Sequence, residues 1–108
     1  MIGGNIEVRI QTRELIQNEI GEETSVWYDV ATLKGFMDLL SGTYNHREHH
    51  SKVEDSTHVF ICDYQELNVT PDNARLIYRN NAYEIKYIDD PMNLHDHIEI
   101  TLKYVGIA

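Results

Sequence analysis

A chain of 108 residues, 42% of them apolar, has material for one domain with one modest core, burying roughly 65% of the surface it exposes when unfolded. Its formal charge of −9, from 18 acidic and 9 basic residues, opposes nucleic-acid binding by phosphate neutralisation; it does not exclude a surface that nucleic acid passes without being held, and excess acid usually just keeps a small domain soluble. One cysteine, Cys62, excludes an internal disulfide, and residues 1–5 lack the basic and apolar regions of a signal peptide, so synthesis in a cytoplasm without membrane insertion is expected.

Ile6, Val8 and Ile10 alternate with Glu7 and Arg9, the period of a half-buried strand. The polar stretch from Gln17 to Thr24, with Gly21 inside it, reads as a turn or flexible loop. Residues 26–33 (VWYDVATL) are rich in aromatic and β-branched side chains and predict the strongest strand. Residues 35–40 fit either a short helical face or a strand continuing past a bulge at Gly35. Residues 43–55 (TYNHREHHSKVED) have no apolar stripe and cannot join a core; they have room for a helical turn or two.

Strand pattern returns at residues 57–64, and Val69 to Asp72 form a turn preset by Pro71. Residues 74–78 and 82–88 flank Asn80-Asn81, which reads as a tight hairpin because asparagine tolerates positive φ. Asp89 to Asn93 close that strand. In the last strand, His97 to Tyr104, Ile98, Ile100, Leu102 and Tyr104 face one way and Glu99, Thr101 and Lys103 the other. The sum is all-β: a small antiparallel β-barrel or sandwich of about six strands with one long polar connection between the second and third.

Several motifs stand in a fixed order. Trp27-x-x-Val30-Ala31-Thr32-Leu33 is followed by Leu40-Ser41-Gly42, then by Thr57-His58-Val59. Tyr78-x-x-x-x-Tyr83-Glu84-Ile85-x-x-Ile88-Asp89-Asp90-Pro91 and an alternating final strand ending near Gly106 complete the set. In order, spacing and total length, residues 6–106 resemble the head-closure or head-tail joining (stopper) proteins of tailed bacteriophages. The chain departs from that pattern at Asp63, where an arginine is frequent, and at Lys34, where a second tryptophan is common.

The resemblance implies one barrel domain over 1–108 and a loop, residues 41–55, projecting into a channel or towards a neighbouring subunit. It implies a homo-oligomeric ring in the virion neck, with the portal or adaptor above and the tail or a tail-completion protein below. It further implies closure of the DNA channel after packaging without sequence-specific DNA binding, synthesis in the host bacterial cytoplasm, and neither catalysis nor cofactor. Partner-contact candidates are Tyr44, His46, Arg47, His49, His50 and Lys52 in the loop, and Asp89, Asp90 and Met92 after the fifth strand. Another neck or tail-completion role is the nearest alternative.

His46, His49 and His50 would share one face of a helical turn, and three imidazoles could hold zinc in a small metal-binding enzyme or sensor. No cysteine or carboxylate motif completes a metal signature, so solvated or partner-contacting histidines are the preferred reading. Cys62 among Phe60, Ile61 and Tyr64 reads as a small core hydrophobe. Trp27 and the tyrosines lack the interleaved Lys and Arg of a single-strand stacking platform and read as barrel core and rim. Asp89-Asp90 before Pro91 reads as a turn and not an acid pair, since adjacent strand residues point to opposite faces.

Overall fold

The computed structural model describes residues 6–39 and 56–108. These form six strands: β1 (Ile6–Gln17), β2 (Glu23–Leu39), β3 (His58–Asp63), β4 (Ala74–Tyr78), β5 (Asn81–Asp89) and β6 (His97–Ile107). All pairings are antiparallel, and the sheet closes into a barrel in the order β1-β2-β3-β6-β5-β4. Closure through the β3–β6 and β1–β4 pairings removes the open edges of the barrel wall. The all-β expectation holds.

Alternation builds the core. Val8 and Ile10 of β1, Leu33 of β2, Phe60 and Cys62 of β3, Leu76 of β4, Tyr83 and Ile85 of β5, and Ile98, Ile100 and Leu102 of β6 pack inside. Each large apolar side chain so buried stabilises the fold by about 1.5–3 kcal/mol. Their neighbours one residue along, such as Glu7, Arg9, Lys34 and Glu84, face water or the outer wall.

Residues 35–39 belong to β2, not to a helix, and the bulge expected at Gly35 lies elsewhere. Gly35 is paired on both sides, with Ile6 of β1 and Cys62 of β3. A Cβ on it would lie 2.1 Å from the carbonyl oxygen of Ile61, so only glycine allows the two strands to approach there. The β2 bulge is five residues earlier: Ile10 pairs with Ala31 and Gln11 with Asp29, leaving Val30 as the extra residue. Two more bulges leave Lys86 of β5 and Val105 of β6 unmatched.

The β4–β5 turn is one residue off the expected position. Tyr78 pairs with Asn81, so Arg79 and Asn80 make the turn, and Arg79 takes the positive φ of 56°. Registration of Leu76 against Tyr83 within the core sets that turn, and the preference of asparagine for the left-handed region is too weak to move it. Both proline-led turns are as expected, each a short 3-10 turn: Pro71–Asn73 before β4 and Pro91–Asn93 before β6.

Strand directions separate the barrel into two ends. The β1–β2 turn, the 64–73 segment and the β5–β6 loop lie at one end. Leu39 and His58, which pair with each other, lie at the other with the β4–β5 turn and the last residues of β6.

Candidate functional site

β1 and β2 outrun the barrel. β4 accompanies β1 only from Arg9 to Thr12, whereas β1–β2 pairing continues to Gln17 and Glu23. Residues 13–17 and 23–27 therefore form a two-stranded ribbon reaching roughly 15–20 Å past the wall, at about 3.4 Å per residue. Of the 17–24 stretch expected as a turn or flexible loop, residues 18–22 are the turn, and Gln17, Glu23 and Thr24 at its ends are strand. Asn18 builds that turn: its side-chain oxygen accepts from the amides of Ile20 (3.1 Å) and Glu22 (2.8 Å), and its own amide donates to the Glu22 carbonyl (2.9 Å). Gly21 supplies a φ of 85°.

The tip so held is both apolar and acidic. Leu15, Ile16 and Ile20 are 62%, 41% and 77% exposed. Residues 14–23 carry four glutamates (Glu14, Glu19, Glu22 and Glu23) and no Lys or Arg.

Where the ribbon leaves the wall, a polar relay runs across the outer face. Arg9 Nη1 donates to Asp29 at 3.4 Å and Gln11 Nε2 donates to the other Asp29 oxygen at 2.8 Å. Arg75 Nε in turn donates to Gln11 Oε1 at 2.8 Å. The Gln11 hydrogen bond lowers the pKa of Asp29, desolvation opposes it, and the Arg9 cation adds a further lowering. The Arg75 guanidinium lies over the Trp27 ring, 4.3 Å from its centroid, with Arg13 at 5.9 Å.

Trp27 is thus a half-buried rim residue outside the core cluster. It forms one wall of an open groove of about 550 Å³, with Arg13, Asp72, Arg75, Glu84, Lys86 and Val105 around it. Two of these, Lys86 and Val105, are bulge residues; bulges re-aim side chains that a regular strand would point elsewhere. Nothing in the linear pattern marked this groove. The only sequence signal was an exposed-face tryptophan opposite an arginine, once pairing was known.

Of the expected contact residues, Asp89, Asp90 and Met92 lie at the ribbon end, in or beside the β5–β6 loop. Asp90 is largely taken up by its own loop: its carboxylate accepts from the His95 amide at 3.0 Å and meets His95 Nδ1. Met92 is 85% exposed and held at a φ of 57°. The His95 ring packs against Tyr64 at a tilt of 43°, with centroids 4.5 Å apart. Tyr44, His46, Arg47, His49, His50 and Lys52, with the rest of the expected 41–55 loop, lie outside the described residues.

Cys62 is buried in the wall, as expected for a core residue. Burial, with help from the neighbouring Asp63 carboxylate, pushes its thiol up to about 11, far from the range of a reactive thiolate. His58 lies at the opposite end from the ribbon, edge-on to Tyr83 at 5.1 Å, with its Nδ1 2.8 Å from the Thr57 hydroxyl. Burial lowers its pKa.

Fold and surface together define a small closed antiparallel barrel whose distinctive chemistry sits on projecting and outward-facing elements. The family model for the phage head completion protein matches residues 5–105, and the chain belongs to that family. No curated protein matches the chain significantly. Membership assigns a structural role in the head and neck of a phage particle, among other head and tail components. Among the described residues, no helix is long and apolar enough to cross a membrane.

Proposed function

We propose that the chain is a non-catalytic neck subunit that forms a homo-oligomeric ring beneath the portal or adaptor, closes the DNA channel after packaging, and offers the docking surface for the tail. The observation that carries this reading is the family match over residues 5–105. The closed barrel supports it physically: a rigid body with separate contact elements at its two ends can bridge a component above and one below. On this reading the segment 41–55 leaves the end opposite the ribbon and reaches the channel or a neighbour, with Tyr44, His46, Arg47, His49, His50 and Lys52 making contacts. Asp89, Asp90 and Met92 serve the other end. The charge of −9 leaves passing DNA unattached.

The test is a phage in which the gene is interrupted. Expected particles package DNA but fail to keep it, so nuclease-protected DNA per capsid falls and tails are missing in electron micrographs. Full, tailed, infectious particles made without the chain overturn the proposal, as does its absence from purified wild-type particles.

A further inference from the structure

We infer that the tip of the β1–β2 ribbon of one subunit seats in the Trp27–Arg75 groove of the next copy. The inference rests on the ring reading above and assigns the contact that propagates it. Tip and groove are different patches of one surface, so their contact is heterologous and runs head to tail around a ring.

Charge is the first argument. The tip carries four carboxylates and no cation, whereas the groove gathers Arg13, Arg75 and Lys86 against Asp72 and Glu84, a locally basic site on a strongly acidic protein. Complementary potentials of this kind set register and partner choice. Shape is the second. Leu15, Ile16 and Ile20 are exposed on the projecting tip, and the groove offers the Trp27 ring and Val105 in a volume of about 550 Å³, within the range of sites that receive a compact ligand. A large aromatic beside arginine is also the composition of interface hot spots.

Connectivity is the third argument. Arg13 and Trp27 pair with each other at the base of the same ribbon, so the ribbon forms a wall of its own groove and its tip cannot bend back into it. Another molecule must supply the occupant. The Asn18-built turn presents the tip already ordered, which lowers the entropy lost on docking.

The experiment uses assembled particles containing the Glu19→Cys/Lys86→Cys double variant, oxidised and run on non-reducing gels. The buried Cys62 thiol stays out of the reaction. A ladder of chain multimers from the double variant, absent from either single variant, is expected. In parallel, Lys86→Glu should cut incorporation into particles at least tenfold, and adding Glu19→Lys should restore it. A general amine cross-linker on wild-type particles separates the two readings. Multimers with that reagent but no cysteine ladder overturn the ribbon–groove contact and leave the ring standing; no multimers with either reagent, in particles that hold the chain, overturn the ring itself. Cysteine-dependent linkage of Lys86→Cys to a different head or tail protein also overturns the contact, because the groove is then occupied by that partner.

Discussion

Val8 and Ile10, in the first half of β1, are fully buried, whereas Leu15 and Ile16, in the second half of the same strand, are 62% and 41% exposed. The backbone pairing with β2 is continuous across both halves. What changes at Thr12 is the neighbour: β4 ends its pairing there, and with it ends the enclosure that gives an apolar side chain somewhere to go. A two-stranded ribbon is marginal by itself. Here the barrel anchors its base and the Asn18 turn closes its tip. The barrel half is enclosed on both flanks, and the ribbon half is open to solvent.

The sharpest way to break that contrast is Gly35→Val. With a Cβ forced to 2.1 Å from Ile61 oxygen, β2 cannot pair with β1 and β3 together, and a loss of more than about 3 kcal/mol is expected. Urea unfolding, or failure to recover soluble protein, reads it. Phe60→Ala, at the fully buried centre, should cost about 3–5 kcal/mol through lost burial and a cavity, with the urea midpoint falling and the slope unchanged.

A smaller, pH-dependent effect belongs to His58. Burial lowers its folded pKa below the unfolded value of 6.5, so the unfolded chain binds the proton first. Stability is full above about pH 6.5 and declines as pH falls from there towards the folded pKa. His58→Gln should flatten that part of the stability profile while leaving values above pH 7.5 nearly unchanged. Smallest of all, Leu15→Ser combined with Ile20→Ser should shift stability by no more than about 0.5 kcal/mol, as surface changes do. A large loss there would show that the ribbon is part of the folding unit after all.

The barrel half was legible because enclosure writes itself into sequence. Val8 and Ile10, or Ile98, Ile100 and Leu102, alternate because one face of their strand is sealed. The ribbon has no sealed face, so Arg13 to Gln17 and Glu23 to Ser25 pair as strands without an alternating pattern to mark them, although the turn around Gly21 was readable. The same physics explains the miss at Gly35. Its role depends on Ile61, distant in the chain, and a lone glycine does not distinguish a bulge from a close approach. The groove was illegible for a related reason: Trp27, Arg75, Lys86 and Val105 come from four strands and converge only through closure and two bulges. Family order was readable where local chemistry was not, and it was borne out.

The position of Cys62 has a consequence for the particle's life outside the cell. A phage particle outside its host meets oxygen and peroxides, which attack thiolates. Held deep in β3 with its proton in place, the chain's one thiol offers such oxidants nothing to react with until the wall around it opens. Oxidation at Cys62 therefore waits on the barrel opening, whereas the exposed thioether of Met92 can be oxidised with the wall intact.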